Sequence, residues 1–209
     1  MTRKNELLIV GAVILVAVVG FAAWRAHSSS ANAAMQLQLG KVVSAFNEVG
    51  TPPEERYKKV IAEGERTVAD YGGTQAATVA KYYMGFAQEG LGDTAKAISL
   101  LEEVSAHSDA DIKGMAQFGM AEIHARHNES DKAIAIFKDL MEKGGYMKSA
   151  VALELARTYE NAGQVDQAKG YYEKVITDYG TSPMRGDAES ALRRLGFPIP
   201  AASAPQNPS

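Results

Sequence analysis

The chain has 209 residues with 22 basic and 25 acidic side chains, a net charge of -3 and no cysteine. That length suits one domain with appendages, and the lack of cysteine excludes disulfides, thiolate catalysis, cysteine-held metals and a lipidated amino-terminal cysteine. With Arg3, Lys4, Arg25 and Glu6 set aside, 19 basic face 24 acidic side chains beyond residue 30, so that part carries about -5, which argues against nucleic acid as a partner.

Residues 1–30 read as a cytoplasmic amino terminus, a membrane anchor and a polar hinge. Leu7 to Trp24 is an apolar run of eighteen residues, long enough as a helix to cross roughly 27 Å of hydrocarbon. Arg3 and Lys4 precede it and Arg25 and His27 follow, which favours a cytoplasmic amino terminus under the positive-inside rule, with Trp24 at the far interface. Ala31-Asn32-Ala33 offers a competing cleavage site for a signal peptide. The run is long for a signal core, and Arg25 and His27 intervene, so the expectation is a retained single-pass anchor through residues 7–24. Under either reading the remainder leaves the cytoplasm.

Residues 31–50 form an amphipathic linker or end helix, because Met35, Leu39, Val42, Phe46 and Val49 recur at alternating spacings of four and three. Two uses of this stripe stay open: a cover for the end of the following domain, or a homodimer seam through residues 35–49. Thr51 then reads as a helix cap with Pro52 in the first turn and Glu54 completing a capping box. The helix over 52–71 would bury Tyr57, Val60, Ile61, Gly64, Val68 and Tyr71.

From here the chain repeats itself. Ala97, Ala133 and Ala168 lie 36 and 35 residues apart, each four residues before Leu101, Phe137 and Tyr172. Gly85, Ala121 and Ala156 are the matching small residues upstream, and each follows a large apolar side chain: Met84, Met120 and Leu155. Small residues on facing helices allow close approach while the large ones fill the gaps. The pattern predicts first helices near 75–90, 110–127 and 147–161. Second helices are predicted near 94–106, 131–143 and 165–179, with Gly72-Gly73, Gly92, Gly144-Gly145, Gly163 and Gly180 as punctuation. Ser182-Pro183 opens a last helix with Ala188, Ala191, Leu192 and Leu195 facing inward, stopped by Gly196 and Pro198. Residues 198–209, rich in proline, alanine and serine, are expected to be a disordered tail.

These residues resemble the tetratricopeptide repeat, with Leu155-Ala156 and Tyr159 on a first helix and Ala133 with Phe137 on a second. The usual tryptophan is replaced by Lys81, Gln117 and Ala152, and the closing proline by Asp109, Gly145 and Gly180, as in a degenerate branch of the family. The expected fold is all-α: an amino-terminal transmembrane helix followed by a tetratricopeptide-like helical solenoid over residues 51–197.

The resemblance implies a groove lined by the first helices. The positions that would face it are Tyr82 and Phe86, then Phe118 and Glu122, then Leu153 and Arg157, aromatic at one end and charged at the other. The protein-binding groove is therefore expected at Tyr82, Phe86, Phe118, Glu122 and Arg157, holding apolar or extended segments, unless the helix near 32–48 folds back over the rings. The only cluster with a catalytic look is Glu122, His124 and His127. His124 stands at the repeat's tyrosine position, however, and packing explains it better than metal ligation. No phosphate loop, serine elbow or carboxylate dyad is present, so neither catalytic residues nor a cofactor nor a metal is expected, a weak His-dependent metalloenzyme being the reading from a different class.

An anchor followed by degenerate repeats and the run Asp178 to Pro183 is similar to bacterial envelope repeat proteins, nearest to the membrane-bound ancillary subunits of the Sec translocon. That resemblance implies repeats in the periplasm and partners among envelope proteins, including the translocon and periplasmic chaperones. An adaptor for cell division or outer-membrane assembly and a mitochondrial import receptor stay open beside it.

Overall fold

The computed structural model describes residues 32–107, 109–143 and 147–201, all helix, turn and coil. The first helix, α1, is described over residues 32–46. It is followed by α2 (Pro53–Tyr71), α3 (Gln75–Gly90), α4 (Thr94–Ser105), α5 (Ala110–Arg126), α6 (Ser130–Lys143), α7 (Lys148–Asn161), α8 (Val165–Thr177) and α9 (Arg185–Arg194). From α2 onward each helix packs on its neighbours in sequence, and α3, α5 and α7 also touch one another directly. These contacts make α3/α4, α5/α6 and α7/α8 the three pairs that the period predicts, stacked with their first helices side by side.

The small residues set the spacing. Ala97, Ala121, Ala133, Ala156 and Ala168 are completely buried. A Cβ on Gly85 would lie 3.1 Å from Cγ of Leu101 and 3.4 Å from the Ala97 carbonyl oxygen, so α3 and α4 meet nearly backbone to backbone. Phe137 and Tyr172 fill the equivalent seams with no exposure, giving a continuous core from Ala121 to Leu192.

Turns of one kind join the two helices of each pair. After α3, α5 and α7 the chain passes through Gly92, Asn128 and Gly163 with φ of 88°, 60° and 74°. In each turn the next residue donates its N–H across the helix end: Asp93 to Gln88, Glu129 to His124 and Gln164 to Tyr159, all at 2.9 Å. This left-handed cap satisfies orphan carbonyls and reverses the chain. Asn128 holds it without glycine because asparagine is among the few side chains that tolerate that region.

The stripe on α1 points inward. Val42 and Ala45 are buried against Val60 of α2 and Ala80 and Ala87 of α3, with Leu39 and Phe46 beside them. The apolar positions offered as a homodimer seam through residues 35–49 are thus occupied within the chain at Leu39, Val42 and Phe46, although Val49 is 97 % exposed. The helix covers Tyr83, whose ring meets Phe46 edge-on at 5.1 Å, and so lies one position away from the predicted groove residue Tyr82.

Two local expectations are corrected. The capping box at Thr51 does not form: the cap of α2 is Pro52 at ψ 138°, with no side-chain cap hydrogen bond. The cause is Pro53, whose ring forces the residue before it out of the helical region, so Pro52 cannot begin the helix. At the other end, the start of the expected tail is packed: Ile199, like Phe197 before it, lies against the main core, and Lys169 sits over the Phe197 ring at 5.2 Å, while residues 202–209 lie outside the described residues. The predicted anchor at 7–24 lies outside the described residues; among those described, no helix is long and apolar enough to cross a membrane.

Candidate functional site

Because α3, α5 and α7 lie side by side, residues one repeat apart fall into rows. The first row starts at Tyr82, which is half-buried and packs on Val104, Ile112 and Ala116, with its ring edge-on to Phe86 at 5.0 Å. Phe86 reaches across to α5, where a Cβ on Gly119 would stand 2.8 Å from its Cζ. Phe118 turns the other way and meets the buried Phe137 ring of α6 edge-on at 5.5 Å. The predicted aromatic end of the groove is therefore divided: Tyr82 and Phe86 are together, Phe118 belongs to the next seam, and all three help to hold helices against one another.

The charged end is brought together. Glu122 and Arg157 share a cleft of about 210 Å³ with Ala125, Arg126, Glu154, Thr158 and Asn161, floored by Phe137. Arg157 donates from Nη1 to Oε1 of Glu154 at 2.6 Å and from Nη2 to Oδ2 of Asp187 on α9 at 2.8 Å. Arg126 approaches Oε1 of Glu89 at 3.9 Å. Glu122 makes no hydrogen bond with a described residue. Burial, followed by repulsion from Glu154, pushes its carboxyl above the ordinary carboxylate range, against the opposing pull of Arg126.

Beyond Arg157 a second cleft of about 300 Å³ runs between α7, α8 and α9. There Glu160 accepts a hydrogen bond from the Tyr172 hydroxyl at 2.7 Å and from Nη2 of Arg194 at 3.0 Å. The arginine chiefly holds the Glu160 carboxyl below its ordinary value, while burial and then the bond to Glu160 push the Tyr172 hydroxyl upward. A larger cleft of about 540 Å³ lies between α1 and α2, with Leu37, Gly40 and Ser44 on one wall and Lys59 and Glu63 on the other.

The three residues with a catalytic look diverge. Nδ1 of His124 pairs with Glu129 at 2.5 Å, and Nε2 of His127 with Glu89 at 2.8 Å, while Glu122 faces Glu154. Among the described residues no group of three His, Cys, Asp or Glu side chains is placed to hold a metal.

Glu154 and Asp187 are the residues that sequence reasoning missed. Glu154 stands 35 residues after Gly119 and so one place past the row of Phe118; the register alone marks it as a neighbour of the groove, but Asp187, the other carboxylate on Arg157, lies on α9, which belongs to no repeat.

A family model described as a tetratricopeptide repeat-like domain matches residues 3–185. Comparison with curated proteins gives no match.

Proposed function

The chain belongs to the tetratricopeptide repeat-like domain family, and from that premise we propose a non-catalytic scaffold, held at a bacterial inner membrane by residues 7–24, that binds protein segments on its periplasmic side. The observation that carries this reading is the row of first helices α3, α5 and α7, which ends in an open, charged cleft at Glu122 and Arg157. Helical pairs that must stack to bury their own faces leave the exposed side of the first helices available for a partner. Arg157 is engaged in ion pairs with Glu154 and Asp187, and the charged groups here do not converge on a nucleophile, which supports a binding role.

The family match starts at residue 3 and takes in the apolar run, which supports an anchor as part of the same unit. With the envelope resemblance of the run from Asp178 to Pro183, this favours service to protein export at the translocon, through the translocon itself or a chaperone recruited to it.

Site-specific photo-crosslinking in intact cells tests the reading. A crosslinking amino acid at Asn161, in the cleft, is expected to yield discrete protein adducts that one at Lys132, exposed at the start of α6, does not. Alkaline extraction should leave the chain in the membrane, and protease added outside the cytoplasmic membrane should reach the repeats. Absence of adducts from Asn161, or the same adducts from both positions, overturns the groove; release of a soluble chain beginning near Ala34 overturns the anchor.

A further inference from the structure

We infer that the cleft between α5 and α7 takes a basic side chain, lysine or arginine, from the bound protein segment, with Glu122 as its acceptor. The inference rests on the scaffold reading and specifies the chemistry of the partner. It begins with an unmet demand: the Glu122 carboxylate is half-buried and has no hydrogen bond to a described residue. A carboxylate removed from water without compensation destabilises the fold that carries it.

The local cations do not meet that demand. Arg157 is engaged on both sides by Glu154 and Asp187 and makes no ion pair with Glu122. Arg126 acts on Glu122 only through space, and its nearest ion-pair partner is Glu89. Glu154 adds a second negative charge, so a cation entering the cleft meets two carboxylates, one of them fully available.

Size and lining agree with this occupant. About 210 Å³ is room for roughly seven waters, or for one long side chain with a water or two. Ala125 and the Phe137 ring provide an apolar floor, and Thr158 and Asn161 a polar rim. Such a combination suits the aliphatic stem and charged head of lysine or arginine. An acidic side chain would add a third carboxylate beside Glu122 and Glu154, and an apolar one would leave Glu122 desolvated and unpaired.

The test is a selection followed by a double-mutant cycle. Random dodecapeptides on phage are selected on the full chain in detergent, and the recovered peptides are measured against wild type and Glu122→Gln. Glutamine keeps the shape and removes the charge, and because that charge is unpaired the variant should denature no earlier than wild type. Recovered peptides are expected to be enriched in lysine or arginine and to bind Glu122→Gln at least ten-fold more weakly. Replacing the basic residue of one peptide by norleucine should lose the same factor against wild type and almost nothing against Glu122→Gln. Peptides without a basic preference, or equal binding to both proteins, overturn the inference and leave the scaffold reading standing. If wild type recovers no peptide at all, the groove itself fails and the inference falls with it.

Discussion

One chemical change, glycine to alanine inside a helix, should have three different outcomes at three positions of this chain. At Gly90 a Cβ would stand 2.2 Å from Cε2, 2.5 Å from Cζ and 2.6 Å from Cδ2 of the Tyr57 ring. Comfortable carbon contacts are about 3.5–4.0 Å, so the ring has to retreat by about 1 Å or more. It is not free to do so: Tyr57 packs beside Val60, Ala80 and Ala87, and the Arg56 guanidinium lies over it at 5.0 Å and donates to its hydroxyl at 3.3 Å. Overpacking of this kind costs about 1–3 kcal/mol, against a return of about 0.5–1 kcal/mol for replacing glycine in a helix. The net expectation for Gly90→Ala is a loss of about 1–2 kcal/mol. At Gly64 the obstacle is Cγ and Sδ of the buried Met84, at 2.4 and 2.6 Å; methionine has more rotatable bonds than tyrosine, so the loss should be smaller than at Gly90, though still a loss. At Gly170 nothing lies within 4 Å, and only the gain of about 0.5–1 kcal/mol remains. Urea denaturation followed by far-UV ellipticity should rank the midpoints Gly170→Ala, wild type, Gly64→Ala, then Gly90→Ala. A Gly90→Ala midpoint at or above that of Gly170→Ala would refute the close approach of α2 and α3.

Ala133→Leu should destabilise by about 1–3 kcal/mol, since Ala133 is completely buried in the core, whereas Lys138→Ala on the exposed face should cost much less; equal urea midpoints would mean that the repeat register is wrong. Asn128→Gly should stabilise by about 0.5 kcal/mol by relieving the left-handed residue between α5 and α6, measured as a raised midpoint with an unchanged slope. Glu160 has a lowered carboxyl in the fold, so its contribution is complete above the ordinary value of 4.5 and is lost as pH falls below it through the folded value. Midpoints of wild type and Glu160→Gln should therefore differ at pH 7 and converge in acid, by a modest amount because Arg194 is 61 % exposed. Glu122 has the opposite sign: its raised carboxyl means that protonation favours the fold, so Glu122→Gln should match or exceed wild type at pH 7 and lose that advantage as pH falls towards 4.5.

The repeat was legible because its signal is local and periodic. Small residues 36 and 35 apart mark where two helices touch, and Ala97, Ala133 and Ala168 are all fully buried as that spacing requires. Turn glycines at Gly92 and Gly163 announce themselves by type. Asn128 does the same work in the middle turn but hides among ordinary polar residues, and the cap at Thr51 was misread because the second of two adjacent prolines decides the backbone of the first.

The sequence by itself determined the fold class, the order of the helices and which positions form the row Tyr82, Phe118, Leu153 and the row Phe86, Glu122, Arg157, since those follow from periodicity along one chain. The tertiary structure alone decided what each member of a row does. Phe86 lies over α5 because Gly119 leaves room for its ring, and Phe118 instead joins Phe137. Glu122 is left without an ion pair while Arg157, in the same cleft, pairs with Glu154 and with Asp187, thirty residues further along on a helix outside the repeats. Periodicity fixes the face a side chain occupies, but its partners depend on the space and charge left by neighbouring helices, and those are set only when the pairs stack.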